Sequence, residues 1–172
     1  MCISIVFAVN LADGKEDDFK GRIYDLGLLY EYGISMGQDS LLAEAEDQIM
    51  SVLSDPDIVF EVHDLPEPHC ACDIDDDIRL GSKLGKRSRF FDFVRETLEF
   101  DGVKSLSVLF FQEEPPDGKN LRTQLGVYED FVDLLNRWNT WQEAGFEPTR
   151  RSHHIAEATP FLYTFTDKQL TH

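Results

Sequence analysis

Residues 88–113 read SRFFDFVRETLEFDGVKSLSVLFFQE, a helical pattern that runs almost without a break into an extended one. In the first part Phe90, Phe91, Val94 and Leu98 recur at spacings of three and four, so they share one side of a helix. Gly102 is placed to terminate that helix. From Val103 onward the apolar residues crowd together, which suits a strand in the middle of a sheet. A helix joined so closely to a strand should fold back on it, with one layer of helix on one layer of sheet.

The flanking sequence extends this pattern in both directions. CISIVFAVN (2–10), IVFEVHD (58–64) and PFLYTFT (160–166) read as further strands. DSLLAEAEDQIMSVLS (39–54) reads as a helix with Asp39 or Ser40 as its cap and Leu42, Ala45, Ile49, Val52 and Leu53 on its apolar face. GVYEDFVDLLNRWNTWQEAG (126–145) is a third helix, with Val127, Phe131, Leu134, Leu135, Trp138 and Trp141 in register. Residues 11–38 stay open. Phe19, Ile23, Leu26 and Tyr30 have helical spacing, but Gly21, Gly27, Gly33 and Gly37 weaken a helix and would allow a short hairpin. Residues 64–87 read as a long connection, acidic at first and then basic, with IRL (78–80) as a candidate edge strand. The expected fold is α+β or α/β, a single layered domain over residues 1–172, with about four strands in a central sheet and about three helices on it.

A chain of 172 residues with 42% hydrophobic content and thirteen Phe can bury a sizeable core. The first residues, MCISIVFAVN, lack the basic start of a signal peptide and the length of a membrane span. Cys2, Cys70 and Cys72 are an odd count, and a disulfide across one intervening residue would be strained. Both points suit a reducing compartment, and the expectation is a cytoplasmic protein.

Charge placement is the strongest compositional signal. The formal net charge is −17, yet residues 23–78 contain no Lys or Arg and hold fifteen acids, which leaves 18 acids against 16 bases elsewhere. Charge segregated in this way repels itself and can steer a basic partner into contact. A phosphate backbone needs a basic stripe, so direct binding of nucleic acid is disfavoured.

The boundary of that segment, HCACDIDDDIRLGSKLGKR (69–87), tempts three chemical readings. Zinc would draw on His63, His69, Cys70 and Cys72, but CxC with loosely placed histidines lacks the paired spacing of a zinc template. Calcium would draw on Asp73, Asp75 and Asp77, but Ile78 stands where the loop needs Gly and Leu84 where it needs Glu. A phosphate loop fails because only three residues separate Gly81 from Gly85 and Arg87 replaces the hydroxyl residue. The bases Lys83, Lys86, Arg87 and Arg89 would instead neutralise the preceding aspartates. His153 and His154 lie in a polar run, and no nucleophile elbow is present. Carboxylates at strand ends, Asp64, Glu113 and Glu114, lack the lysine that a metal-dependent nuclease would add.

These observations point to a non-catalytic acidic binding protein that inhibits a basic protein, such as a toxin or a nucleic-acid-processing enzyme. In size, charge and lack of catalytic motifs the chain resembles the small acidic immunity proteins that bacteria pair with toxins, and it shares no motif with them. The expected contact residues are Asp55, Asp57, Asp64, Glu67, Asp73, Asp75, Asp76 and Asp77. No cofactor, membrane or direct nucleic-acid partner is expected. The alternative is a metal-binding domain or metal-dependent hydrolase built on residues 63–77.

Overall fold

The computed structural model describes residues 3–37, 42–66, 70–83, 87–112, 115–138 and 160–167. Along the chain these form β1 (Ile3–Leu11), α1 (Glu16–Tyr30), β2 (Gly33–Met36), α2 (Leu42–Val52), β3 (Ile58–His63) and α3 (Cys72–Lys83). There follow α4 (Arg89–Glu99), β4 (Val103–Gln112), β5 (Arg122–Gly126), α5 (Tyr128–Trp138) and β6 (Phe161–Phe165). The strands make one six-stranded sheet in the order β2-β3-β1-β4-β6-β5. Every neighbouring pair is antiparallel except β5 and β6, which run parallel. The fold is therefore α+β with a mixed sheet, and it has more strands and helices than the sequence led us to expect.

The two additional strands are both edges. β2 is four residues long, and β5, RTQLG, leaves Arg122, Thr123 and Leu125 exposed. An edge strand buries little, so it needs no strong apolar alternation. The two additional helices resolve the ambiguous stretches. Residues 16–30 are helical because Phe19, Ile23 and Leu26 all enter the core. Gly27 serves that packing: a Cβ there would lie 2.6 Å from Ile34 Cγ1 on β2. The helix ends at Glu31, whose left-handed backbone (φ 61°) turns the chain into β2.

Residues 72–83 are α3, so the supposed edge strand at 78–80 is part of a helix. Ile74 and Ile78, one turn apart, bury its inner side beside Ala71. Its many aspartates obscure that face, but Asp73 and Asp75 in the first turn stabilise the positive end of a helix.

The sheet is covered on both faces. On one face, α1, α3, α4 and α5 enclose a large core that includes Phe7, Phe60, Phe90, Phe93, Phe110 and Phe131. On the other, Ile49 and Leu53 bring α2 and its following turn against Val6, Ala8, Leu109, Phe111 and Leu162. Phe7 stacks on Phe60 at a centroid distance of 5.0 Å and meets Phe93 edge-on at 5.6 Å. Phe93 also meets Tyr30 at 5.9 Å and Tyr32 at 5.5 Å. One ring thus joins the sheet, α4 and the end of α1. Among the described residues no helix is long and apolar enough to cross a membrane.

Phe93→Ala should cost about 3–5 kcal/mol, because a fully buried ring leaves a cavity that the aromatic cluster cannot close. Urea denaturation measures the loss. A cost below about 1 kcal/mol would show that the ring is not the joint described.

Candidate functional site

The site begins where β3 ends. The Asp64 carboxylate accepts the backbone N–H groups of Asp73 (2.8 Å) and Ile74 (3.1 Å), in the first turn of α3. A side chain from outside the helix thereby satisfies two of the donors that a helix N-terminus leaves open. The Asp64 N–H in turn donates to the Cys70 carbonyl at 2.6 Å. These bonds fold α3 back beside the end of β3.

Further contacts join α3 to its neighbours. Ser88 accepts the Phe90 N–H at 3.2 Å as the cap of α4, and its hydroxyl donates to Asp77 on α3. Arg89, the first residue of α4, donates to Glu31 at the end of α1 at 3.1 Å. Between α1, α3 and α4 lies a cavity of about 540 Å³, within the size range of ligand sites. Four carboxylates line it, from Glu31, Asp64, Asp73 and Asp77, against the single guanidinium of Arg89. Leu28 and Leu65 add apolar surface to its lining and are 74% and 53% exposed.

Tyr32 also lines the cavity. It is 6% exposed, its ring held by Tyr30 and Phe93, and its buried hydroxyl has no hydrogen-bond partner among the described residues. Burial raises the pKa of that hydroxyl well above the ordinary tyrosine value; Asp77 and Asp64 add to the shift and Arg89 opposes it. The group is therefore a neutral hydrogen-bonding site in the field of the cavity's charges. Burial also raises the Asp64 carboxyl above the usual carboxylate range, against the opposing effect of the two N–H bonds it accepts.

Five ion pairs join described side chains: Lys15–Asp101, Arg22–Glu96, Arg87–Asp92, Arg95–Asp92 and Arg89–Glu31. Only the last reaches into the base-free segment. Arg87 was expected to neutralise the aspartates before it, but it turns away. Its guanidinium donates to the Tyr128 hydroxyl and lies 5.6 Å from the centre of that ring. A second cavity, about 500 Å³ between α4 and α5, is lined by Arg87 and Arg95 together with Glu99, Glu129, Asp133 and Asp167, four carboxylates against two guanidiniums.

The expected contact residues divide into groups. Asp64, Asp73 and Asp77 meet in the acidic cavity. Asp75 is buried and Asp76 half-buried on the same helix. Asp55 and Asp57 lie beyond the opposite end of β3, about 20 Å away for a six-residue strand. There the Asp57 carboxylate accepts the Leu11 N–H at 2.7 Å and the Asp55 backbone carbonyl accepts the Asn10 side-chain amide at 2.9 Å, so both residues fasten the end of β1. Glu67 lies outside the described residues.

Of the alternative metal set, His69 is outside the described residues, and of the other three Cys70 and Cys72 meet while His63 stands apart. Cys72 packs against the larger core, with the Cys70 and Cys72 sulfurs 2.9 Å apart as free thiols. His63 belongs to the opposite face of the sheet, where its Nε2 lies 2.9 Å from the Ser35 hydroxyl. Its Nδ1 is 2.9 Å from the Asp64 carbonyl, which can only accept, so Nδ1 donates there. Ser35 and His63 thus tie edge strand β2 to β3. Among the described residues, no group of three or more His, Cys, Asp or Glu side chains is arranged to hold a metal ion.

The chain matches no family model, curated protein or solved structure. Its own geometry carries the functional reading.

Sequence reasoning missed Glu31, Tyr32, Leu28 and Arg89 as a group, because their meeting depends on α1 ending at Glu31 and on α3 being a helix. The only advance signal was the helical spacing of Phe19, Ile23 and Leu26.

Asp64→Ala should destabilise the protein by about 1 kcal/mol through loss of the α3 cap. The raised Asp64 pKa also fixes a sign. The folded state holds this proton more tightly than the unfolded one, so its contribution is fully present below 3.8 and declines as pH rises through the folded pKa. Denaturation of wild type and Asp64→Asn across that interval should show wild type losing stability relative to the variant as pH rises. The opposite slope would contradict the burial effect.

Proposed function

We propose that this protein is a non-catalytic inhibitor that captures a basic protein through the acidic cavity of α1, α3 and α4. The observation that carries the reading is the concentration of four carboxylates against one guanidinium in a single cavity, beside exposed Leu28 and Leu65. The carboxylates supply long-range attraction, which raises the association rate and fades with salt. The leucines supply apolar area that holds a partner after encounter. A nucleic-acid-processing enzyme or a basic toxin fits this surface, because carboxylates can occupy a cleft built for phosphates. The contact residues are then Asp64, Asp73 and Asp77, joined by Glu31 and the leucines. Asp55 and Asp57 stand apart from them.

One observation favours the alternative of a metal-binding domain or metal-dependent hydrolase: the two sulfurs of Cys70 and Cys72 face each other at 2.9 Å. Zinc bound there would need further ligands from outside the described residues. Stoichiometric zinc in protein purified without tag or chelator, lost in Cys70→Ser, would support that reading over the inhibitor.

The inhibitor reading is tested by capture from the native host, followed by assay of the captured protein. The expected partner is basic, is released as salt rises above about 0.15 M, and loses its activity in the complex. Glu31→Gln with Asp73→Asn should slow association by about tenfold at low salt while leaving the partner's own activity intact. A captured protein that is acidic, or one whose activity is unchanged in the complex, would overturn the proposal.

A further inference from the structure

We infer that the acidic cavity is a receptor for a single arginine side chain, with its guanidinium taken between the carboxylates and its methylene stem against Leu28 and Leu65. The inference rests on the reading of the cavity as the face presented to a basic partner, and it names the chemical group received there.

Three observations favour a guanidinium over a general attraction to positive charge. First, the carboxylates come from separate elements and surround one space: Glu31 ends α1, Asp64 follows β3, and Asp73 and Asp77 belong to α3. A planar cation with five N–H donors can satisfy such a divergent set, whereas an ammonium acts as a compact point charge. Second, the protein already places a guanidinium at this site, because Arg89 donates to Glu31 at 3.1 Å on the α4 side of the cavity. Only one of the four carboxylates is engaged by that pair. Asp77 uses one oxygen for the Ser88 hydroxyl, and Asp73 makes no ion pair with a described base. Third, the Tyr32 side chain lines the same cavity, and its buried hydroxyl has no hydrogen-bond partner among the described residues. A buried polar group without a partner costs stability, and a guanidinium N–H seated beside Asp77 supplies one.

The cavity's volume also suits one long side chain entering from a partner's surface. Leu28 and Leu65 then shield the stem from water, which strengthens the charge-assisted bonds behind them. Arginine is, moreover, enriched among the residues that dominate binding energy at protein interfaces.

The test uses the full chain with tyrosine rings labelled in ¹³C and N-acetyl-L-arginine amide as probe. The expected result is a saturable shift of the Tyr32 ring signal, together with the backbone signals of Leu28, Leu65, Asp73 and Asp77. N-acetyl-L-lysine amide should bind several-fold more weakly at equal ionic strength, since it lacks the planar fork. Glu31→Gln with Asp73→Asn should weaken the arginine probe by about tenfold. Tyr32→Phe should weaken the arginine probe, leave the lysine probe nearly unchanged and preserve thermal stability, a split that a purely structural tyrosine would not produce. The inference is overturned if the arginine shifts do not saturate, if they fall equally on Arg95 and Val132 in the α4–α5 cavity, or if lysine matches arginine. Failure of the two readings can be told apart. Saturable arginine binding without capture of a basic partner removes the inhibitor reading alone. Capture of a basic partner unaffected by Tyr32→Phe, without probe binding, removes this inference alone.

Discussion

Packing of Phe7, Phe60, Phe90 and Phe93 between the sheet and α4 is the contact on which the other elements depend. Phe7 lies on the doubly paired strand β1, so its position is fixed by hydrogen bonds to β3 and β4 on both sides. Phe90 and Phe93 bring α4 down onto it, and Phe93 then receives Tyr30 and Tyr32 from the end of α1. Because fully buried rings tolerate little change in volume, this cluster sets where α4 starts and where α1 stops. Those two helix ends supply Arg89 and Glu31. The acidic cavity is therefore a consequence of aromatic packing beneath it as much as of the charges that line it.

The same arrangement explains how so many acids are accommodated. Elsewhere on the described surface Lys15, Arg22, Arg87 and Arg95 each meet a carboxylate within 4 Å. Around α3 the stabilisation takes another form. Asp64 is bonded to backbone N–H groups at the helix start, Asp77 to a capping serine, and Asp73 and Asp75 lie in the first turn, where the helix end is positive. Backbone dipoles and hydroxyls offset part of the repulsion among these acids.

The four inner strands were legible in the sequence because β1, β3, β4 and β6 are buried on both faces or nearly so, and their apolar runs show it. β2 and β5 were not, since an edge strand is held by backbone bonds that leave no side-chain pattern. α3 was hidden for a different reason. Only Ile74 and Ile78 mark its buried side, and the aspartates between them read as a solvated loop. At the site, Asp64, Asp73 and Asp77 were recognisable from charge alone. Asp55 and Asp57 were grouped with them by sequence proximity, and the intervening strand carries them to the far end of the sheet. Glu31 and Tyr32 could not have been assigned, because they join the site only through the left-handed turn at Glu31.

The central claim is that negative potential is focused at the cavity of α1, α3 and α4 rather than spread over an acidic protein. Paramagnetic relaxation of amide protons by cationic and anionic nitroxide cosolutes measures that potential residue by residue. Leu28, Leu65, Asp73 and Asp77 should be relaxed much more strongly by the cationic probe than by the anionic one, with a far smaller ratio at Arg95, Leu98 and Val132 in the α4–α5 cavity. Equal ratios at the two cavities would contradict the claim.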